Sequence, residues 1–341
     1  MIDVLFVILP DSLLLDLAGP AEAFRLANQV IARSSSKAST HGRAPACEPL
    51  FRLRFVGPQS NAVSSVGAML SNIEPLPMHF DPTARSTWVV LLGRPGVSKF
   101  VLKRTAPFMA VRNWLSKIVA PALDACVSLR SSYTCRLITV CVGALLAADA
   151  GLLKGRRCTT HHELLDELAA YSIDSHVVAN RVFVEDGPIA TSAGVTAGID
   201  LALHLIAREC GEAIASSVAQ VMVAFARRTE ADQERSPLLA WRSHMHPAVH
   251  RVQEAVNANP RTNWTLLQMA QVACVTPRHL NRLFVEHAGL TPRDYVEKVR
   301  LAIANHAIRA GFQMVKAADI SGFGTPRRLA HAQSRQTNYV Q

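Results

Sequence analysis

Short, near-continuous apolar segments alternate along the first part of the chain with longer segments whose apolar residues recur every three or four positions. The apolar segments predict β-strands at residues 4–10, 51–57, 87–93 and 136–141, and the periodic segment at 19–32 predicts a helix. Near-continuous apolar strands separated by helices are typical of a mainly parallel sheet with helices on both faces. We therefore predict an α/β domain over residues 1–226.

The helical pattern ends near Ala226, and the segment that follows, "RRTEADQERSPLLAWRSHMHP", is charged and contains Pro237 and Pro247. This composition is typical of a linker. We therefore predict a linker at 227–246 and a second domain at 247–341, and a length of 341 residues also favours two domains.

The second domain begins with a helix-turn-helix pattern in "WTLLQMAQVACVTPRHLNRLFVEHAG" (264–289). Thr276 fits the N-cap of the second helix, Pro277 its first position and Gly289 its end. The residues predicted to face inward are Leu267, Ala270, Val275, Leu280, Leu283 and Phe284.

The outer face of that second helix is predicted to carry Arg278, His279, Asn281 and Arg282. Arginine and asparagine side chains suit the edges of guanine and adenine in the major groove of DNA. A basic face that is merely solvated is the alternative.

A second helix-turn-helix unit is predicted at 315–332, after a long amphipathic helix at 291–311. Its segment "GFGTPRRL" repeats the pattern of "CVTPRHL" in the first unit and presents Arg327 and Arg328. The sequence therefore predicts two DNA-binding units in the second domain.

The positive charge is concentrated in this second domain. The net charge is +10, and residues 242–341 hold 13 Lys and Arg against 5 Asp and Glu, whereas residues 1–241 hold 23 against 21. A cationic module joined to a nearly neutral one indicates that one of them faces a polyanion. Nucleic acid is the prediction, and a membrane surface is the weaker alternative.

The seven cysteines form no C-x-x-C pair, and their odd number argues against a disulfide framework. The first residues lack a secretory pattern, and the longest apolar run, Leu137 to Ala148, is too short to span a bilayer. We therefore expect a soluble, cytoplasmic protein with buried thiols and no contact with a membrane.

Cys141 is placed where a predicted strand turns directly into an alanine-rich helix, as nucleophiles are in some hydrolases. Gly143 relieves crowding at such a turn, whereas Thr139 stands where a small residue is usual. The positive end of the helix would lower the pKa of the thiol. A buried, inert cysteine is an equally open interpretation.

Two adjacent histidines, His161 and His162, are considered as metal ligands together with Cys158. We predict no metal, because no further ligand has usable spacing and adjacent side chains on a strand point to opposite faces. Gly194 and Gly198 are expected to open and pack a helix rather than to bind a phosphate. No cofactor is predicted.

The segments "LLLDLAGPAEAFRLAN", "CVGALLAADAGLLKGRRCTTHH" and "DGPIATSAGVTAGIDLALHLI" resemble the DJ-1/PfpI-type domain of a class of AraC-family transcriptional regulators, whose sensor halves are similar to class I glutamine amidotransferases. The resemblance implies a flavodoxin-like sandwich, usually dimeric, that senses a small metabolite. It places Cys141 at the nucleophile position of the superfamily and Asp16 at that of an acidic partner. His161 matches the histidine of a T-T-H-W run.

Two departures from the superfamily argue against catalysis. Val142 stands where the enzymes often have a histidine, and the loop that is often G-G reads Gly93-Arg94. A site with no base beside its nucleophile is poorly equipped for hydrolysis. We therefore predict that catalysis is lost and that Asp16, Cys141 and His161 bind a small ligand.

The segment "HLNRLFVEHAGLTPRDYVEKVRLAIA" resembles the AraC/XylS DNA-binding domain, and the resemblance covers residues 246–332. It implies two helix-turn-helix units joined by a helix. Gln333 stands in the second unit where Phe284 stands in the first, so anchoring of the second recognition helix is an open question.

These observations together predict a sequence-specific transcriptional regulator. Its partners would be a double-stranded DNA operator, a small-molecule effector, a second copy of the chain and RNA polymerase. The sequence does not choose between activation and repression. The alternatives are a thiol-dependent hydrolase or amidase, or a redox sensor, fused to a DNA-binding domain.

Overall fold

The computed structural model describes residues 1–38, 48–95, 105–127, 134–194, 196–224, 227–230, 232, 234, 241–242, 244–309 and 311–337. The chain divides into two compact units, Met1–Glu234 and Arg235–Gln341. The division falls inside the segment 227–246. Ala226 and Pro237, on which the predicted linker rests, lie outside the described residues, and so does Cys47, one of the seven cysteines.

The first unit contains short strands throughout its length. They are β1 (Ile2–Val7), β2 (Phe51–Gly57), β3 (Ala62–Val63), β4 (Met69–Leu70), β5 (Glu74–Pro75), β6 (Ser86–Leu91), β7 (Thr134–Val140), β8 (Arg157–Cys158), β9 (His176–Val177), β10 (Phe183–Asp186) and β11 (Ile189–Ser192). Seven of them form one sheet in the order β10-β11-β7-β6-β1-β2-β5. Every neighbouring pair in this sheet is parallel except β10 with β11, so the predicted mainly parallel sheet is confirmed.

Helices cover this sheet in two groups. They are α1 (Leu14–Ala38), α2 (Ala106–Trp114), α3 (Ala120–Val127), α4 (Gly143–Asp149), α5 (Leu165–Tyr171), α6 (Thr196–Cys210) and α7 (Glu212–Val221), with a π-helical turn between α2 and α3. Helices α1, α6 and α7 pack against one another, while α4 contacts α2, α5, β6 and β7. The first unit is therefore an α/β sandwich.

The core of this unit lies on the central strands. Every residue of β1 and β6 is buried, as expected for parallel strands with both faces covered. The rings of Phe24, Phe51 and Trp88 pack with their centroids 5.0–5.7 Å apart. The register pairs Val7 with Leu91 and Leu91 with Thr139, which aligns the carboxyl ends of β1, β6 and β7 at one edge. Ligands of open parallel sheets bind at that edge.

The chain after α7 still belongs to the first unit. Arg228 donates hydrogen bonds to the buried carboxylate of Asp200, from its main-chain N at 3.0 Å and from Nε at 2.8 Å. Arg157 pairs with Glu230 at 3.1 Å, and the N–H of Val182 donates to the carbonyl of Asp232 at 3.3 Å. Arg228, Glu230 and Asp232 are thus held to the sandwich by polar contacts.

The second unit is all-helical in its described residues. Its helices are α8 (Pro247–Ala258), α9 (Leu266–Ala273), α10 (Pro277–Ala288), α11 (Pro292–Arg309), α12 (Met314–Ile320) and α13 (Pro326–Thr337). Helices α8, α9 and α10 share one apolar cluster with Tyr295 and Val299 of α11. Helices α12 and α13 share another with Leu301 and Ala304 of α11. Two helix-turn-helix units are therefore joined through α11.

The inner face of α9 differs in part from the prediction. Leu267 is 58% exposed, whereas Met269, Ala270 and Ala273 are buried. The reason is the start of the helix, because a capping box between Thr265 and Gln268 fixes the phase of the turns that follow. In α10 the predicted inner residues Leu280, Leu283 and Phe284 are buried.

The second unit anchors α13 by a different contact from the one that anchors α10. Leu329 and Ala332 are buried, and the Nε2 of Gln333 donates a hydrogen bond to Oδ1 of Asn305 on α11 at 2.8 Å. In α13 a polar contact of Gln333 therefore takes the place of the aromatic contact that Phe284 makes in α10.

Among the described helices, none combines the length and apolar character that a bilayer crossing needs.

Candidate functional site

Cys141 occupies a sharp turn at the carboxyl edge of the sheet, directly after β7. Its φ is +54°, in the left-handed region that non-glycine residues rarely adopt. The N–H of Cys141 donates to the carbonyl of Ser192 at 3.0 Å, and Thr160 Oγ1 donates to the carbonyl of Cys141 at 2.8 Å. These contacts hold the strained backbone, as in a strand-to-helix nucleophile turn.

Glycines surround this turn because no Cβ fits. A Cβ on Gly194, whose φ is +112°, would lie 2.6 Å from Cys141 Cβ and 2.8 Å from its Sγ. A Cβ on Gly143 would overlap the carbonyl of Leu91. The sequence pointed to Gly143 at this turn, whereas Gly194 was expected only to open or pack a helix. Gly198 does pack, since its Cβ would lie 2.9 Å from Val140.

Asp16 and Cys141 meet at Gly93. Asp16 is fully buried in α1, and its Oδ2 accepts a hydrogen bond from the N–H of Gly93 at 3.1 Å. A Cβ on Gly93 would overlap that oxygen and lie 2.8 Å from Cys141 Cβ. The loop amide that could stabilise an oxyanion therefore already has an acceptor in Asp16.

The thiol of Cys141 is poorly suited to ionise. Burial raises its pKa to about 12, and the negative charges of Asp16, Glu234 and Glu163 act in the same direction. A hydrogen bond from the N–H of Val142 acts in the opposite direction but is outweighed. The expectation that the helix N-terminus lowers the thiol pKa is therefore wrong, because burial and three carboxylates dominate.

Arg94, the cation next to Gly93, is held by the loop after β1. Its Nε donates to the carbonyl of Pro10 at 2.9 Å, and its guanidinium lies 3.5 Å from the carboxylate of Asp11. Its charge is thereby partly balanced by Asp11 at the rim of the carboxyl edge.

His161 and His162 lie side by side, and the prediction that they point to opposite faces is wrong. They are not on a strand, because β8 ends at Cys158 and His161 caps the short 3-10 helix His162–Leu164. Their ring centroids are 4.3 Å apart. No contact between His161 and Cys141 is described, although the neighbouring Thr160 binds the Cys141 carbonyl.

Glu234 completes this group of side chains. Its Oε1 lies 2.9 Å from His162 Nδ1 and accepts a hydrogen bond from the N–H of His162 at 3.0 Å. Sequence reasoning missed Glu234, which follows 72 residues later in a charged segment without periodicity.

A cavity of about 660 Å³ opens at the other edge of the sheet, at the amino ends of β6 and β7. Its wall includes Arg85, Trp88, Arg136 and Glu209. The chain that precedes β7, residues 128–133, is outside the described residues. The cavity is remote from Cys141, since parallel strands place their two ends at opposite edges of the sheet.

The candidate DNA-binding face lies on α10. The helix begins at the N-cap Thr276, whose hydroxyl accepts from the N–H of His279 at 3.3 Å. Arg278, Asn281 and Arg282 are exposed on a helix that is fixed from beneath by its buried face. Arg282 also lies 3.1 Å from the ring of His279, which restricts its guanidinium.

The corresponding face of α13 carries Arg327 and Arg328, both exposed. The N–H of Arg328 donates to the hydroxyl of Thr325 at 3.4 Å, so the start of this helix repeats the threonine contact of α10. Each helix-turn-helix unit therefore has one exposed, basic face whose side chains can donate hydrogen bonds.

Comparison with family models matches residues 131–208 to the DJ-1/PfpI family and residues 269–339 to a helix-turn-helix domain. The first match contains the Cys141 turn, and the second contains α10 and α13. The chain thus combines a DJ-1/PfpI-type α/β domain with an AraC-type helix-turn-helix domain.

Three curated relatives illustrate the similarity. The chain is 30% identical over 189 residues to the HTH-type transcriptional regulator GbdR of Pseudomonas aeruginosa, covering 55% of this chain and 51% of GbdR. It is 31% identical over 197 residues to the HTH-type transcriptional regulator GlxA of Rhizobium meliloti, covering 57% and 60%. It is 46% identical over 70 residues to the isonitrile hydratase of Pseudomonas putida, covering 20% and 28%. The chain spans about half the length of the regulators it matches.

Proposed function

We propose that the protein is a DNA-binding transcriptional regulator whose α/β unit senses a small molecule. The observation that carries the proposal is the exposed face of α10, where Arg278, Asn281 and Arg282 stand on a helix anchored by Leu280, Leu283 and Phe284. Side chains of this kind read guanine and adenine edges when such a helix enters the major groove. The similarity to regulators such as GbdR and GlxA supports the same function.

The effector would bind at the carboxyl edge of the sheet, near Asp16, Cys141 and His161. Catalysis there is disfavoured because the thiol is buried with a raised pKa and the Gly93 amide is engaged by Asp16. An effector that binds one state of the protein better would shift its equilibrium and alter transcription. The active form would be a homodimer that contacts RNA polymerase.

Selection from random double-stranded DNA with the purified full-length chain tests DNA binding. The expected result is an enriched sequence that the wild type binds at least about 1,000-fold more tightly than unselected DNA, as specific binders do. If the selection enriches no sequence and the protein binds all DNA with equal affinity, the proposal is contradicted.

Enzymatic activity is the second candidate, because the isonitrile hydratase shares 46% identity over 70 residues. The test is incubation of pure protein with excess isonitrile, with Cys141→Ala as the control. We expect no turnover by either protein. Consumption of many equivalents by the wild type and none by Cys141→Ala would replace the sensor with a thiol enzyme.

A further inference from the structure

Two imidazoles and one carboxylate converge at the end of the first unit. One ligand atom from each of His161, His162 and Glu234 lies within 4.8 Å of the other two. His162 and Glu234 are already in contact at 2.9 Å, and the two rings are tilted by only 35°. Three donors from two distant parts of the chain are therefore gathered around one point.

A simple ion pair between His162 and Glu234 accounts for only part of this arrangement. Oε1 of Glu234 receives both contacts from His162, whereas Oε2 is buried and accepts no hydrogen bond from the described residues. A buried carboxylate oxygen without a partner is costly, because it loses water and gains nothing in exchange. The ion pair also does not involve the His161 ring, which packs against that of His162 and whose Nδ1 accepts a hydrogen bond from the N–H of Glu163 at 3.5 Å.

We propose that His161, His162 and Glu234 form a binding site for a divalent transition-metal ion of the zinc class. Two imidazole nitrogens and one carboxylate oxygen are a donor set that such ions prefer, whereas Ca²⁺ and Mg²⁺ require mostly oxygen. A tetrahedral ion with bonds of about 2.0–2.1 Å needs donors roughly 3.3 Å apart, which small side-chain rotations reach from the present geometry. Three protein ligands leave one coordination position for water or another donor.

The site borders the Cys141 turn without including it. Thr160, next to His161, binds the Cys141 carbonyl, and the charge of Glu234 reaches the Cys141 thiol. The open coordination position of the ion therefore lies at the edge of the sheet where we place the effector, and it could accept a donor atom from that effector. Metal binding itself is independent of the proposed regulatory function.

Zinc titration of the full-length chain tests the proposal, with protein prepared without a polyhistidine tag and stripped with EDTA. Competition with a chromogenic chelator gives the affinity and the number of Zn²⁺ ions, and Co²⁺ gives a visible absorption band that reports four-coordinate geometry. We expect one tight Zn²⁺ ion per chain. Loss of a residue that only orients a ligand weakens metal binding about 10–100-fold. Loss of a direct ligand, through Glu234→Gln or His161→Ala, should therefore weaken it by at least about 10-fold.

Two control variants address other histidines. His204 also contacts a carboxylate, Glu185, at 3.0 Å but has no second histidine, so His204→Ala should bind Zn²⁺ as the wild type does. His287→Ala tests the histidines of the second unit and should leave the tight ion in place. Circular dichroism and the urea midpoint establish that each variant is folded. His161 is partly exposed, and its removal leaves the contact between His162 and the Glu234 carboxylate in place.

Equal zinc affinity and stoichiometry in wild type, Glu234→Gln and His161→Ala would overturn the proposal. Loss of the tight ion in His287→Ala alone would overturn it as well, since the ion would then belong to the second unit.

Discussion

The main-chain N–H of Gly93 donates a hydrogen bond to Oδ2 of Asp16 across 3.1 Å, which joins the loop after β6 to the first turn of α1. The same glycine lies against Cys141, so these three residues share one small volume. Substitution of any of them should therefore affect the packing of the carboxyl edge.

Gly93→Ala should destabilise the first unit by about 1–3 kcal/mol, because a new Cβ overlaps Asp16 and lies 2.8 Å from Cys141 Cβ in a packed site. Urea unfolding followed by tryptophan fluorescence measures the effect. Gly67→Ala is the control, since no atom lies within 4 Å of its new Cβ and only its φ of +82° opposes the change. An effect no larger for Gly93→Ala than for Gly67→Ala would show that the site is loosely packed.

Cys141 should resist alkylation, because burial raises its pKa to about 12 and little thiolate forms near neutral pH. Brief treatment of the native protein with iodoacetamide at about pH 7.5, followed by peptide mass spectrometry, measures this. Cys274 is the internal control, since it is exposed. We expect Cys274 to be labelled first, and the two to be labelled equally only after unfolding. Rapid native labelling of Cys141 would instead favour the redox-sensor alternative.

Replacement of Arg278 or Arg282 by alanine should weaken binding to the selected DNA by about 1–3 kcal/mol and relax the preference at one base position. Fluorescence anisotropy with the selected sequence and its single-base variants gives both quantities. Arg25→Ala, which removes an exposed arginine from the first unit, should change neither. An equal loss on selected and random DNA would assign the arginine to a phosphate contact.

The polar anchor of α13 bears on whether the second helix-turn-helix unit binds DNA. If the Gln333–Asn305 contact suffices, a footprint should show two protected segments about 10 bp apart for each subunit, one helical turn of DNA. Gln333→Ala should reduce protection at one of them and leave the other intact. A single protected segment in the wild type would mean that α13 does not reach the groove.

The second unit should lose stability in acid because of His244. Burial lowers the pKa of His244 below its usual 6.5, and the charges of His250, His287 and His246 act in the same direction. The folded state then binds fewer protons than the unfolded chain, so this stability is fully present above about pH 6.5 and is lost as the pH falls below it. Urea midpoints between pH 8 and pH 5.5, with EDTA present, measure the slope, and His244→Asn should reduce it. The exposed His176→Ala should leave the slope unchanged.

Sequence patterns predicted the parts of the fold that depend on local periodicity. Strands β1 and β6 could be predicted because burial on both faces demands continuous apolar residues, and β2 and β7 could be predicted from apolar residues interrupted by only one or two arginines. The two-residue strands β3, β4, β5, β8 and β9 have no such signature, since tertiary hydrogen bonding alone defines them.

The candidate site was predictable only where one short segment carries it. The Cys141 turn is encoded locally by a strand, a cysteine and a glycine, and the family resemblance added Asp16. The role of Glu234 could not be predicted from the sequence, because a carboxylate in a charged segment has the pattern of a solvated residue. Only the folded chain places it beside His162. The raised pKa of Cys141 was missed for the same reason, since burial depends on the whole sandwich.

The contacts of Arg228 with Asp200 have a practical consequence for chimeric regulators. A chimera joined at residue 226, where the apolar pattern ends, would leave the Asp200 carboxylate buried without its guanidinium and would discard Glu234. The first unit would then carry an unpaired interior charge, which is strongly destabilising. When DNA-binding halves are exchanged between this chain and its relatives, the junction should therefore lie after Glu234. The first unit then keeps the contacts of Arg228 with Asp200 and of Glu234 with His162.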